Sequence, residues 1–142
     1  MLFSVGVEMP KNENEAYGLV VPALCRDNYG CISAADTLND IPAMVKDVIS
    51  MVLADMSESG VDTVSIVDEG FAVYQKQDDY QYCDTWLLID VDISDYLGKH
   101  QRVNITVPDY LLKRIDQKVG STGEYKSRSH FLTVAAQREL SV

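Results

Sequence analysis

The sequence predicts an α+β chain in two parts: an antiparallel sheet with one long covering helix, then a short strand and two helices. Three observations carry this. Short runs with strict apolar/polar alternation recur between Gly, Pro and Asn punctuation, as strands do. From Leu38 to Met56 the apolar residues instead repeat at helical spacing. The charge also changes sign near residue 100: residues 1–100 carry 5 Lys and Arg against 18 Asp and Glu, a net −13, and residues 101–142 carry 7 against 4, a net +3. Such a split points to two different partners. The acidic part repels nucleic acid and attracts a cationic surface, and the basic part does the reverse.

Phe3-Ser4-Val5-Gly6-Val7-Glu8 alternates with period two and is expected to be a strand ending at Pro10. After the polar turn Lys11–Glu15, Ala16–Val21 forms a second strand closed by Pro22. Asp27-Asn28-Tyr29-Gly30 is turn chemistry, and Cys31-Ile32-Ser33 is a short third strand. The meander needs cover on one face. The long helix supplies it through apolar residues at 41, 44, 45, 48, 49, 52, 53 and 56. Thr37 with Asp40 resembles a capping box, but Pro42 then falls just past the first turn, so the first turn is irregular or the cap lies nearer Asn39 or Asp40. Val64, Val67, Phe71 and Tyr74 allow a second helix, Asp78–Tyr82 is expected to be an exposed loop, and Trp86–Ile93 is a further strand of the sheet. Tyr74, Tyr80, Tyr82 and Trp86 form either a partner surface or sheet cover.

The last forty residues begin with Arg102-Val103-Asn104-Ile105-Thr106-Val107-Pro108. Side chains of a strand alternate between faces, so Val103, Ile105 and Val107 form an apolar edge and Arg102, Asn104 and Thr106 a hydrogen-bonding one. A lone strand cannot satisfy its own backbone. If two copies pair these strands antiparallel, the Val/Ile edge is the dimerisation core and the other face becomes a ribbon that a major groove admits. Arg suits a guanine edge, Asn an adenine edge, and the Thr methyl a thymine methyl. Helices are expected at Tyr110–Asp116 and from Phe131 to Leu140, with a Gly/Ser/Thr/Lys loop between them. Ser127 caps the second helix and, with Arg128 and Ser129, leaves backbone N–H groups free to seat a phosphate. The alternative is an edge strand buried within an ordinary α+β domain.

The chain of 142 residues, 46% hydrophobic and 24% charged, suits one or two small soluble domains. It has no apolar run of the ~18 residues that a membrane helix needs, and its first residues lack the features of a signal peptide. Cys25, Cys31 and Cys83 have no metal or redox spacing, so reduced thiols in a cytoplasmic protein are expected, with no metal and no cofactor. Glu8, Asp36, Asp90 and Asp92 are the carboxylates to consider for a metal-dependent hydrolase, and Asp90 and Asp92 share a strand face. A solvent-facing strand edge in an acidic protein explains them better. His100 and His130 lie at no nucleophile spacing, and Gly120-Ser121-Thr122-Gly123 lacks the Lys of a phosphate loop. No catalytic residue is expected.

The order strand, proline, helix, Ser-Arg-Ser cap and helix over residues 102–142 resembles the ribbon-helix-helix DNA-binding module. Ala16-Tyr17-Gly18-Leu19-Val20-Val21-Pro22, Gly30-Cys31-Ile32-Ser33-Ala34-Ala35-Asp36-Thr37-Leu38 and Trp86-Leu87-Leu88-Ile89-Asp90-Val91-Asp92-Ile93-Ser94 resemble HicB-type antitoxins. The resemblance implies a degenerate, partial RNase H-like toxin-binding domain over 1–94, a linker over 95–101 and a ribbon-helix-helix DNA-binding and dimerisation domain over 102–142. It further implies a lost active site, a small basic HicA-like mRNA interferase as partner, double-stranded operator DNA, and self-association as a dimer or tetramer, with no membrane role. The toxin contacts stay unassigned. The alternatives are a ligand-sensing ribbon-helix-helix transcriptional regulator without a toxin, and an active RNase H-like hydrolase.

Overall fold

A computed structural model describes residues 1–141, which divide along the chain between His100 and Gln101 into two compact units. In the first, β1 (Leu2–Glu8), β2 (Tyr17–Val20), β3 (Ile32–Ala35) and β4 (Thr85–Asp90) form one sheet in the order β3-β2-β1-β4. Every neighbouring pair is antiparallel, with Val7 opposite Leu19, Tyr17 opposite Ala35 and Phe3 opposite Ile89. The alternation in β1 sends Phe3, Val5 and Val7 to one face, where all three are buried. Helix α1 (Ile41–Glu58) covers that face with Ile41, Val45, Ile49, Leu53 and Met56.

The entry to α1 is irregular, and Pro42 is the reason. A 3-10 turn at Leu38–Asp40 precedes the helix, Asp40 occupies the cap position, and Pro42 falls in the first turn, where its missing N–H leaves nothing unpaired. Thr37 is therefore not the cap; its hydroxyl donates to Asp40 Oδ2 at 2.7 Å. The exit has Schellman geometry: Gly60 takes φ +74°, its N–H reaches Ser57 O, and Val61 N–H reaches Met56 O at 2.9 Å. Two residues assigned to the buried stripe behave differently. Met44 is exposed, and Val48 is half-buried with one side against the core.

The second helix expected through Val64, Val67, Phe71 and Tyr74 reduces to one turn, α2 (Phe71–Tyr74). Val64 and Val67 are exposed, and Ile66 and Tyr74 are the buried pair. Local polar groups explain the difference. Asp62 Oδ1 accepts from Val64 N–H and Ser65 N–H, holding a turn that competes with helix. Gly70, at φ +91°, then breaks the chain direction. Tyr74, Tyr80 and Trp86 pack on one another with ring centres 6.1–6.2 Å apart, in the stacked and edge-on arrangements aromatic pairs favour. Of the four aromatics proposed as either surface or cover, these three serve as cover for the second sheet face, and Tyr82 stays exposed. Trp86 lies opposite Gly6, and a Cβ on Gly6 would come within 3.0 Å of Trp86 and Val20 and 2.5 Å of Cys83 Sγ.

Segment 61–84 is fastened to the sheet by Asp68. Pairing between β1 and β2 spans only Gly6 to Glu8, so Ser4 has no strand beside it on that side. Asp68 takes the missing strand's place: Ser4 N–H donates to Oδ2 and Ser4 Oγ to Oδ1, both at 2.7 Å, and Gly70 N–H donates to Oδ1 at 2.9 Å. Ser4 is fully buried. The first unit also extends past the expected boundary at 94. Ile93 is buried, Tyr96 packs against the core, and Thr63 Oγ1 donates to Tyr96 O, so the first half of the presumed linker 95–101 is folded. All three cysteines are free thiols; burial pushes Cys31 up to about 12 and Cys83 up to about 11.

Replacing Asp68 by Ala strands the buried Ser4 donors, each of which needs a partner. Unfolding in urea should show the first unit destabilised by about 1–3 kcal/mol, with Asp68→Asn losing less because it keeps an acceptor.

Candidate functional site

In the second unit, α3 (Asp109–Thr122) and α4 (Arg128–Leu140) follow the expected order with different bounds. α3 does not stop near Asp116. It runs through Gly120, Ser121 and Thr122 and ends at Gly123, which takes φ +63°. Helical context overrides the turn-like composition of those residues, and Thr122 Oγ1 returns to Lys118 O at 3.0 Å. Pro108 supplies the first carbonyl, accepting from Leu111 and Leu112 N–H at 3.1 Å.

Residues 101–108 have no regular secondary structure, although a strand is expected there. The reason is a missing partner: a strand exists through its ladder, and no strand among the described residues pairs with this segment. Arg102, Asn104 and Thr106 are exposed, Val103 and Ile105 are 78% and 63% exposed, and Val107 is half-buried. The alternative of a strand edge buried in its own domain is thereby contradicted.

Ser127 is the N-cap of α4: its Oγ accepts from His130 N–H at 3.1 Å, and its carbonyl accepts from Phe131 N–H at 3.0 Å. His130 Nδ1 in turn accepts from Lys126 N–H at 3.1 Å, which ties the ring to the loop. Ser129 is exposed, and its carbonyl accepts from Thr133 Oγ1 at 2.9 Å. Arg128 is engaged within the unit, with Nε and a terminal nitrogen donating to the two Asp116 oxygens at 3.0 and 2.8 Å. This fork holds α3 to α4. It keeps the Asp116 carboxyl below the usual carboxylate range and raises the Arg128 guanidinium above its own. The six proposed DNA-facing residues thus fall into two groups, the open Arg102/Asn104/Thr106 segment and the structured cap.

In the first unit, Asp90 receives the N-terminal ammonium at 3.1 Å, and Asp92 accepts from Ser94 N–H at 3.0 Å, which lowers its carboxyl pKa. Among the described residues no cluster of three or more His, Cys, Asp or Glu is placed to hold a metal. No helix among them is long and apolar enough to cross a membrane.

A family model described as the HicB-like antitoxin of bacterial toxin–antitoxin systems matches residues 3–136, across both units. The chain belongs to this HicB-like family. A protein from the rep-hol intergenic region of Haemophilus phage HP1, described as an uncharacterized 14.9 kDa protein, is 34% identical over 141 residues, covering 99% of this chain and 98% of its own. The crystal structure of the Burkholderia pseudomallei antitoxin HicB is 29% identical, covers 96% of each chain and superposes with a TM-score of 0.52. An antitoxin HicB3 structure matches at 22% identity over 98% of this chain and 97% of its own, with a TM-score of 0.50. A chain of a HicA3–HicB3 toxin–antitoxin complex covers 65% of this chain and 99% of its own at 14% identity, with a TM-score of 0.52. The last two show the fold alone. The four-stranded antiparallel sheet with its helices is thus a HicB-type architecture, and this chain is an antitoxin of that kind.

Two structured residues of the HicB-like tail escape a reading of the sequence alone. Tyr125 is buried in the loop between the helices and meets Phe131 edge-on at 4.9 Å. Its signal is present: an aromatic two residues before the Ser127 cap, with Phe131 four residues after that cap, is a hydrophobic staple displaced by one position. Asp116 had no distinguishing mark, because its partner lies in another helix.

The Asp116 carboxyl should titrate below the ordinary ~3.9 when followed by carbon-detected NMR, and Arg128→Ala should return it to that value. The sign follows from linkage: a depressed carboxyl adds tail stability above its unfolded pKa, and this is lost as pH falls through the lower, folded one. Both groups are about half exposed, so the effect on the tail's melting is small.

Proposed function

We propose that this HicB-like chain neutralises a small, basic, HicA-like mRNA-cleaving toxin with its acidic first unit and represses its own operator with its tail. Family membership supports the antitoxin role, and the HicA3–HicB3 complex supports a partner of HicA type. The charge division favours the same assignment, because a unit of net −13 speeds encounter with a cation-rich RNA-binding surface and excludes nucleic acid from itself. Inhibition is occlusion, with the first unit a degenerate, partial RNase H-like domain that performs no chemistry.

One observation carries the tail's role. Its only buried side chains among the described residues are Ile115 and Tyr125, while Val103 and Ile105 stand in solvent. A core that small cannot hold two helices. A second copy pairing its residues 102–107 antiparallel would bury Val103, Ile105 and Val107 and turn Arg102, Asn104 and Thr106 outward as a two-stranded ribbon-helix-helix reader. Ser127 and Ser129 would offer the α4 N-terminus to a phosphate, and Arg128 would brace that terminus through Asp116.

Two experiments test this reading. Co-expression with the adjacent reading frame should yield a stable complex with a small basic protein, and the complex should no longer cleave mRNA. If that protein cleaves equally well in the presence of this chain, the antitoxin role is wrong. In gel-shift titrations, Arg102→Ala or Asn104→Ala should each weaken operator binding by about 1–3 kcal/mol and relax its sequence preference, with toxin binding unchanged. Each phosphate contact should add about 0.9 to the salt slope; a flat salt response would remove DNA from the proposal.

A further inference from the structure

The outward side of α1 carries more apolar surface than a solvated helix requires. Met44 and Met51, at i and i+7, line up along one side, with Val48 between them at i+4 packed in part against the core. Met44 is exposed, Val48 half-buried and Met51 70% exposed. Unbranched thioether side chains adapt their shape to a partner and are favoured on binding surfaces for that reason. Asp47, Asp55 and Glu58 stand on the same side, all exposed. Lys46, the only cation of the helix, projects about 200° round from Met44 at ~100° per residue.

Helix stability does not explain these carboxylates. Acids belong near a helix N-terminus and cations near its C-terminus. Here the first turn holds no acid and the last turn no base, and Asp55 and Glu58 sit at the carboxyl end, where the dipole opposes them. They are also three residues apart, a repelling spacing. None of the three takes part in an ion pair among the described residues. The Tyr29 hydroxyl partners Asp55, but no cation among the described residues faces any of the three, and an arrangement that costs stability in this way is accounted for by a cation supplied from outside.

We infer that this face of α1, centred on Met44 and Met51 and edged by Asp47, Asp55 and Glu58, is the seat of the toxin on the first unit. The matching toxin surface has an apolar centre with Lys or Arg around it. A second copy of this chain is the poorer occupant, because two such faces would set carboxylate against carboxylate. The inference rests on the antitoxin role proposed above. Other apolar residues of the unit are exposed as well, among them Ile32, Leu38, Val64 and Val67, and the Leu2–Leu88 pair on the second sheet face serves as the comparison.

The test uses the full-length chain and the purified small basic protein of the adjacent reading frame, with affinity and association rate measured optically. The double substitution Met44→Glu/Met51→Glu should weaken binding by about 30-fold or more, the loss expected at the centre of an interface. Asp47→Lys and Glu58→Lys should slow association by about tenfold at low ionic strength and far less in high salt. Glu58→Lys should leave the melting temperature unchanged or raised, which a merely structural role would not do. Leu88→Glu should bind as the natural chain does. If the natural chain binds and the α1 variants bind equally well, or only Leu88→Glu loses affinity, the α1 seat is overturned while the antitoxin role stands. If the natural chain does not bind at all, both fall.

Discussion

A strand must find a partner for every N–H and C=O along its length, and in this molecule neighbouring strands meet that requirement, a carboxylate meets it at one gap, and the tail leaves it open. β1 is buried on both faces and sits between two strands, but β2 turns away at Pro22 before the ladder is complete. The carboxylate of Asp68 closes the gap at Ser4 and, in doing so, draws the least regular segment of the chain across the second face of the sheet. The aromatic cover of Tyr74, Tyr80 and Trp86 then has a fixed place to pack. In the tail the same requirement goes unmet within one chain, and residues 101–108 stay irregular.

Regular periodicity is what sequence reading recovers, and it recovers the frame here. β1 follows from alternation at period two, the other three strands from short apolar runs beside turn residues, and α1 from an i, i+3, i+4 stripe, while Pro42 marks the irregular entry that the 3-10 turn before α1 provides. The failures share a cause. Segment 61–84 is placed by contacts far along the chain, from Asp68 to Ser4 and from Thr63 to Tyr96, which no local pattern encodes. Gly120, Ser121 and Thr122 have loop composition and predict an early end to α3, whereas in a helix already nucleated they continue it to Gly123. At the candidate site, alternation singled out Arg102, Asn104 and Thr106, and the Ser127 cap follows from composition alone. The pairing of Arg128 with Asp116 could not be seen, since it depends on how two helices pack.

The two units are stabilised in different ways. The first has a continuous core running from Phe3 to Ile93, complete within one chain. The second buries little, joins its helices and the loop between them through exposed ion pairs such as Arg128–Asp116 and the contacts of Tyr125 with His130 and Phe131, and leaves Val103 and Ile105 in water. Under the proposed dimeric arrangement its stability depends on protomer concentration, as with any fold whose core is shared. The acidic unit can then stay folded when the tail is unpaired, so toxin binding and the proposed operator binding need not rise and fall together.

The burial of Cys31 gives the sheet an internal clock. Its thiol has no solvent access, and its pKa near 12 leaves almost no thiolate at neutral pH. An alkylating reagent can therefore reach it only when the layer between β3 and α1 comes apart. Its rate of modification measures how often that happens, with no label introduced and no residue changed.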